Sequence, residues 1–194
     1  AERGVFAMVG FSYRRVPAIT LARDLVAAGR IGQLRQVRAL YLQDWLVDAE
    51  GPMTWRLDKD LAGSGSLGDI GAHAIDAVQF ITGNRVESVS GILETLVAER
   101  PLLGEFVGLS GTASKERGRV TVDDVALFTG RLDNGVLASF EATRFATGRK
   151  NAFRLEFSGS EGAIAFDFDR MNDLEFDDRT NPAGEEGFGR ILVT

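Results

Sequence analysis

The spacing of apolar residues changes along the chain and predicts helices mainly in the first half and strands mainly in the second. After Pro17, apolar residues recur at helical spacing until Gly29, which predicts an amphipathic helix. The same spacing predicts a second helix over 67–81, closed by Gly83. A continuous apolar run at 5–11 predicts a strand of the kind that is buried on both faces in a parallel sheet, and such a strand needs neighbours.

Alternating and β-branched residues predict further strands at 33–45, 86–98, 120–132, 136–145, 152–158, 163–168 and 173–176. Asn134-Gly135 is a strong hairpin signal between two of them. Together these elements indicate an antiparallel meander with the helices gathered early, an α+β fold. We predict that 47–67 is a long irregular loop with a functional role, 99–119 a polar connection and 178–194 a loosely held tail.

The composition excludes several classes of protein. The 194 residues carry a net charge of −6, which argues against nucleic acid or an anionic membrane surface as the main partner, because both select basic proteins. The absence of cysteine excludes disulfides, thiolate nucleophiles and cysteine-bound zinc. His73 is the single histidine, so imidazole chemistry has one possible position and no metal site is predicted. No apolar stretch approaches the roughly 20 residues of a membrane span and no secretory signal pattern is present, so we expect a cytoplasmic location.

Three ionisable residues of the predicted second helix share one narrow stripe. At about 100° per residue, Asp69, His73 and Asp76 point in nearly the same direction. A carboxylate one turn before an imidazole can orient the ring and raise its basicity, which suits general acid–base catalysis near neutral pH. Two alternatives stay open at this point: a solvated helix face without a function, and a divalent-metal site, which one helix rarely completes.

A glycine-rich pattern precedes this helix. Residues 63–68 read Gly-Ser-Gly-Ser-Leu-Gly and match the G-x-G-x-x-G of dinucleotide-binding turns. That turn requires a buried apolar strand directly before it, whereas 55–62 carry several charged residues. A flexible loop is therefore favoured over a phosphate-binding turn.

An ordered set of motifs resembles the Gfo/Idh/MocA family of NAD(P)-dependent sugar and cyclitol oxidoreductases. The motifs cover most of the chain and are Phe11-Ser12-Tyr13-Arg14-Arg15-Val16-Pro17-Ala18, Ala28-Gly29-Arg30-Ile31-Gly32, Gln43-Asp44-Trp45, Trp55-Arg56, Gly63 to His73, Val122-Asp123-Asp124, Glu141-Ala142-Thr143-Arg144 and Gly159-Ser160-Glu161-Gly162. Members of the family combine an N-terminal Rossmann domain with a C-terminal α/β domain. The resemblance thus implies an open, largely antiparallel β-sheet with helices on one face.

The resemblance also implies a division into domains. Residues 1–15 would be the last strand and exit of a Rossmann domain that is otherwise missing, 16–177 the C-terminal substrate-binding and oligomerisation domain, and 178–194 the tail. NAD or NADP would be bound mainly by the missing domain, which in the family also carries a Glu-Lys-Pro motif. No Lys-Pro occurs in this sequence, so the chain alone is expected to be inactive.

Individual roles follow from the same resemblance. Asp69 and His73 match the family's Asp-x-Gly-x-His signature, so His73 would take the proton of a substrate hydroxyl as hydride leaves the same carbon for the nicotinamide, with Asp69 orienting substrate or imidazole. An imidazole with an unperturbed pKa near about 6.5 suits that exchange at neutral pH. The other predicted site residues are Asp76, Asp124 and Trp55 for the substrate and Tyr13, Arg14 and Arg56 for the cofactor.

The function that the resemblance implies is hydride transfer between nicotinamide and a hydroxyl of a sugar, polyol or cyclitol. The strands predicted at 86–98, 120–132 and 136–145 would supply a sheet face for a homo-oligomer, since a large apolar face is seldom left to solvent. Two rival functions stay open: a non-catalytic binding or dimerisation module of the same fold, and an NAD-assisted glycoside hydrolase.

Overall fold

The computed structural model describes residues 3–107 and 110–194. The α-helices and strands in these ranges are α1 (Pro17–Ala27), α2 (Lys59–Ala62), α3 (Ala72–Thr82), β1 (Leu34–Leu42), β2 (Val86–Glu94), β3 (Glu99–Val107), β4 (Ser110–Arg119), β5 (Val125–Leu132), β6 (Leu137–Thr143), β7 (Ala152–Gly159), β8 (Ala163–Asp167), β9 (Asp173–Asp177) and β10 (Gly189–Leu192). Within the same ranges, none of the helices combines the length and the apolar character that crossing a bilayer requires.

Eight strands form one open sheet in the order β10-β9-β8-β7-β1-β6-β5-β2. Neighbouring strands are antiparallel except β1 and β6, which run parallel. The predicted hairpin joins β5 to β6, and Gly135 adopts a φ of +86° in its turn, a conformation that glycine reaches without strain. The predicted α+β fold, an open and largely antiparallel sheet with helices on one face, is confirmed.

The hydrophobic core lies between helices α1 and α3 and one face of this sheet. On β1, Val37, Ala39 and Tyr41 are buried in the core, while the residues between them face the other side. Phe153 and Phe157 repeat the alternation on β7 and are fully buried. One face of the sheet is therefore covered by helices, and the opposite face is left without helices.

Residues 99–119 differ from the prediction of a polar connection. They form the antiparallel pair β3–β4, a separate two-stranded sheet; residues 108–109 of this segment lie outside the described ranges. The sequence pattern missed these strands because apolar residues there do not alternate, as in the adjacent Leu102 and Leu103, and because the register shifts between Pro101 and Leu103.

Both terminal segments also depart from expectation. Part of the predicted loose tail, Gly189–Leu192, pairs with β9 as β10, because backbone pairing at a sheet edge needs no apolar pattern. The run 5–11 forms no strand in the part of the chain that is described, and Val5, Phe6 and Met8 are exposed there. A strand of this type needs flanking strands, and β1–β10 supply none. Residues 1–2 of the predicted segment 1–15 lie outside the described ranges.

Candidate active site

The predicted second helix begins as a π-turn. Leu67–Gly71 has π-helical hydrogen bonding, and the regular α-helix α3 starts only at Ala72. Asp69 lies in the π-turn and His73 lies in the first turn of α3, so the uniform rotation assumed from the sequence does not relate the two side chains. Single π-turns occur frequently at functional sites, and this one carries the residue pair that the sequence singled out.

The glycine-rich loop before the π-turn is bound to Asp123. The carboxylate of Asp123 accepts hydrogen bonds from the backbone N–H of Gly65 (2.9 Å), the backbone N–H of Leu67 (2.7 Å) and the hydroxyl of Ser66 (2.8 Å). Burial alone would raise the pKa of Asp123, but these bonds from Leu67, Ser66 and Gly65 outweigh it and hold the pKa below its usual value. An internal carboxylate thus occupies the N–H groups that a phosphate would need, and the loop is anchored where the sequence favoured flexibility.

Asp69 is oriented by a buried arginine. Nη2 of Arg144 donates to the Asp69 carboxylate at 2.8 Å and to the Gly65 carbonyl oxygen at 3.1 Å. The side chain of Arg144 is 1% exposed, whereas that of Asp69 is 42% exposed, so the pair points from the interior toward solvent. The guanidinium also lies 5.2 Å from the centre of the Trp45 ring. Arg144 belongs to a family motif in the sequence, but its contact with Asp69 spans 75 residues and depends on the fold.

A cleft of about 260 Å³ opens beside the Asp69 carboxylate. Its walls include two of the other predicted site residues, Trp55 and Arg56, together with Arg144 and Gly68. The Arg56 guanidinium stacks over the exposed Trp55 ring at 4.5 Å, so both side chains are presented at the surface of the cleft. The structure therefore brings Asp69, Trp55 and Arg56 together.

His73 is half-buried in an aromatic environment and is not among the residues that line the cleft beside Asp69. The edges and faces of Phe11 and Tyr13 meet the imidazole at ring-centre distances of 5.5 and 5.1 Å. Burial lowers the pKa of His73 below its usual value, and the nearby charges of Asp69 and Asp76 offset this only in part. The sequence argument that acidic neighbours raise the basicity of His73 is therefore wrong in its net direction, because desolvation is the larger effect. Nδ1 is buried and has no hydrogen-bond partner among the described residues.

A chain of hydrogen bonds begins at Tyr13, whose ring packs against His73. The hydroxyls of Tyr13 and Tyr41 are 2.5 Å apart, and Tyr41 donates to Oδ1 of Asn151 at 2.8 Å. Asn151 also accepts from the amide of Gln43, whose oxygen accepts from the indole of Trp45 at 2.9 Å. Burial raises the pKa of Tyr41, so its hydroxyl stays protonated and can donate. Tyr13, a predicted cofactor residue, is therefore fixed beside the imidazole.

Asp76 does not share the exposed stripe that the helical spacing predicted. It is buried, and its carboxylate pairs with Arg14 through both Nε (2.9 Å) and Nη2. The bidentate pair ties the segment before α1 to α3, and Arg14 also lies over the Phe80 ring at 5.4 Å. The solvent-facing placement of Asp76 is wrong because its partner comes from 62 positions earlier in the chain. The predicted roles of Asp76 with substrate and Arg14 with cofactor stay predictions.

Asp124, the third predicted substrate residue, is completely buried. Its carboxylate accepts hydrogen bonds from the backbone N–H groups of Leu96 (2.8 Å) and Val97 (3.2 Å). Burial raises the pKa of Asp124 despite these bonds and the nearby charges of Arg100 and Arg144. Neither Asp124 nor Asp76 lines the cleft beside Asp69, so contact of either carboxylate with substrate stays a prediction.

Comparison with known proteins gives a consistent result. Residues 19–165 match the family described as the GFO/IDH/MocA C-terminal domain. The levoglucosan dehydrogenase of Pseudarthrobacter phenanthrenivorans is 38% identical over an alignment of 195 positions that covers 99% of this chain and 50% of that protein. The chain thus spans about half the length of the curated relatives that it matches.

Solved structures agree with the sequence comparison. An oxidoreductase domain protein from Kribbella flavida is 61% identical with a TM-score of 0.88, over 98% of this chain and 49% of that one. Levoglucosan dehydrogenase in complex with NADH and levoglucosan is 38% identical with a TM-score of 0.85, over 96% of this chain and 47% of that one.

Proposed function

The chain belongs to the Gfo/Idh/MocA family as its C-terminal, substrate-binding domain, and from this premise we propose that it is the catalytic half of an NAD(P)-dependent oxidoreductase. The reaction moves hydride between nicotinamide and a CH–OH carbon of a sugar, polyol or cyclitol. The relationship to a levoglucosan dehydrogenase whose structure holds NADH and levoglucosan supports a sugar-like substrate.

One observation carries the proposal: Asp69 is fixed at an open cleft by Arg144, four residues before a half-buried His73. Because burial lowers the pKa of His73, the imidazole is neutral at pH 7 and can accept a proton. In the oxidative direction, His73 takes the proton of the substrate hydroxyl as the C–H bond of the same carbon breaks. In the reductive direction it returns that proton to the oxygen. Asp69, which Arg144 holds, orients the substrate hydroxyl or the imidazole.

The chain's own residues fit one wall of a cofactor site. The exposed Trp55–Arg56 pair offers a planar cation at the cleft, and Tyr13 borders the imidazole. The 63–68 loop does not fit a pyrophosphate, because Asp123 already takes its N–H groups. The nicotinamide, when bound, supplies the hydride acceptor or donor. We therefore propose that a dinucleotide-binding domain holds most of the cofactor, as the domain division read from the sequence implies. The exposed apolar side chains of the 5–11 segment support a covering domain.

We also propose that the face of the eight-stranded sheet opposite the helices, the open sheet face, joins copies of the chain. Ile92, Leu127 and Leu137 lie on this face and are 68%, 46% and 50% exposed. Exposed apolar side chains on neighbouring strands favour burial against another copy.

The test of the catalytic proposal is the substitution His73→Ala in the gene-encoded protein that contains this chain. Nicotinamide absorbance is followed with a panel of polyols and sugars, and circular dichroism verifies folding. We expect kcat to fall by about 10²- to 10⁴-fold, because the proton acceptor is removed. Thr82→Ala serves as the control and should keep its activity, because Thr82 lies on the same helix and its hydroxyl bonds to the Val78 carbonyl oxygen and the Asn84 N–H.

Full activity of His73→Ala would refute the role of the imidazole. Release of free sugar from a glycoside without net reduction of NAD would instead favour the hydrolase. Binding of sugar without turnover in the wild-type protein would favour the non-catalytic module.

A further inference from the structure

Asp123 is connected to Asp69 through Gly65, whose N–H donates to the Asp123 carboxylate and whose carbonyl oxygen accepts from the Asp69 N–H. We propose that Asp123 is a positioning residue: its carboxylate holds the π-turn so that Asp69 is presented to the cleft and keeps its place relative to His73. The inference rests on the proposed function for its catalytic consequence. Its structural part, the placement of Asp69 relative to His73, can be measured separately.

Asp123 is bound to the loop by several hydrogen bonds. Donors from Gly65, Ser66 and Leu67 converge on the two carboxylate oxygens, together with the Ser64 hydroxyl at 3.4 Å, and the backbone carbonyl of Asp123 accepts a fifth bond from the Ser66 N–H at 2.9 Å. Carboxylates near the positive end of a helix are stabilising, and successive N–H groups form a natural anion site. Here the anion is part of the chain, which fixes the start of the π-turn.

Gly65 connects the hydrogen bonds on Asp123 to Asp69. The Gly65 carbonyl oxygen accepts hydrogen bonds from the Asp69 N–H at 3.0 Å and from Nη2 of Arg144 at 3.1 Å. The same Nη2 atom donates to the Asp69 carboxylate. Gly65 thus has its N–H on Asp123 and its carbonyl on the Asp69–Arg144 pair. If the loop shifts relative to Asp123, the Gly65 carbonyl oxygen must shift as well, and it bonds to both Asp69 and Arg144.

The contact between Asp123 and the loop is buried and closely packed. Asp123 is 8% exposed and Ser66 is fully buried, so water cannot replace a lost bond at low cost. A Cβ atom on Gly65 would lie 1.8 Å from the Asp123 carbonyl oxygen, which shows how closely the two backbones approach. The loop therefore has one position while Asp123 is intact.

The experiment uses Asp123→Asn, which keeps the size of the side chain. An asparagine oxygen can still accept from one donor, but its NH₂ group faces the Leu67 N–H and leaves that donor without an acceptor. Asp167→Asn is the matched control. Asp167 also accepts a backbone bond, from Asp169 at 3.0 Å, and pairs with Arg154 at 2.9 Å, but it lies on β8 and does not touch the loop.

Two readouts separate positioning from plain stabilisation. In the gene-encoded protein we expect Asp123→Asn to lower kcat by about tenfold to a hundredfold with the KM for NAD(P) changed less than about twofold. In the 194-residue chain, proton NMR of the single imidazole gives the pKa of His73 directly. The charge of Asp69 raises the pKa of His73, so we expect this pKa to fall when Asp69 is less well held. Asp167→Asn should change neither quantity, even where it lowers the urea midpoint equally.

The inference is overturned if Asp123→Asn lowers only the urea midpoint and leaves kcat and the pKa of His73 as they are in Asp167→Asn. If the wild-type protein shows no NAD(P)-linked turnover, the proposed function fails while the His73 titration still decides the positioning role. In that case an unchanged pKa overturns the inference and a lowered pKa supports it.

Discussion

Replacing Gly65 with alanine would test how rigidly the π-turn is docked. Gly65 is buried, and an added Cβ would lie 1.8 Å from the Asp123 carbonyl oxygen and 2.7 Å from the Asp123 backbone nitrogen and carbonyl carbon. Real Cβ atoms essentially never approach a neighbour closer than 3.0 Å. All three opposing atoms are backbone, so no side chain can rotate away. The loop and the 121–124 segment must therefore separate by roughly 1 Å or more.

A separation of that size breaks specific bonds. The Gly65 N–H to the Asp123 carboxylate and the Ser66 N–H to the Asp123 carbonyl are both 2.9 Å long. Each buried donor left without an acceptor costs about 1–3 kcal/mol. With partial relaxation of the loop, we expect Gly65→Ala to lower the free energy of unfolding by about 3 kcal/mol.

The assay is urea unfolding followed by tryptophan fluorescence. Trp45 and Trp55 are the only tryptophans: Trp55 lines the cleft, and the Trp45 ring lies under the Arg144 guanidinium. Gly10→Ala is the control, because a Cβ on Gly10 meets nothing within 4 Å and its φ is not positive. If Gly65→Ala unfolds within about 0.5 kcal/mol of wild type, the close backbone contact is not real and the reasoning is refuted.

His73 and the open sheet face give two more measurable expectations. Because burial lowers the pKa of His73 in the folded state, the unfolded chain binds the proton more tightly. The stability that the neutral ring contributes is present above about pH 6.5. It is lost as the pH falls through the pKa that His73 has in the folded protein. The stability difference between wild type and His73→Gln should thus be constant above pH 6.5 and shrink below it, and a flat difference down to pH 5 would contradict the burial effect. On the open sheet face, Leu137→Arg should lower the mass measured by sedimentation, with the free energy of unfolding within about 0.5 kcal/mol of wild type. Leu192→Arg, on the far edge strand and more exposed, should leave the mass unchanged. An unchanged mass for Leu137→Arg would count against the proposed interface.

The sequence predicted the elements whose periodicity comes from one-sided burial. Helix α1 after Pro17, the Asn134-Gly135 hairpin and the alternation on β1 all follow from local rules, and all are present. The β3–β4 pair escaped prediction because it forms a sheet of its own and its apolar residues do not alternate with polar ones. The strand predicted from residue 120 begins only at Val125, since the Thr121 N–H bonds to the Leu57 carbonyl oxygen and Asp123 binds the loop before the π-turn.

Some features of the candidate site could be predicted from the sequence, and others could not. Asp69 and His73 could be found because they lie four residues apart in one motif. The direction of the His73 pKa could not be found, since it depends on Phe11 and Tyr13 packing around the ring. The spacing that grouped Asp76 with the other two assumed a regular helix and could not anticipate its pairing with Arg14.

The sequence by itself determined helices α1 and α3, most of the sheet and the identity of the residue pair, because periodicity and short motifs are local properties of a chain; the short α2 lies in the stretch 47–67 that was predicted as a loop. Only the tertiary structure decided that Arg144 holds Asp69 and that Asp123 fills the glycine-rich loop. Both contacts join groups more than 50 residues apart, and their strength comes from burial, which exists only after the sheet and helices have packed.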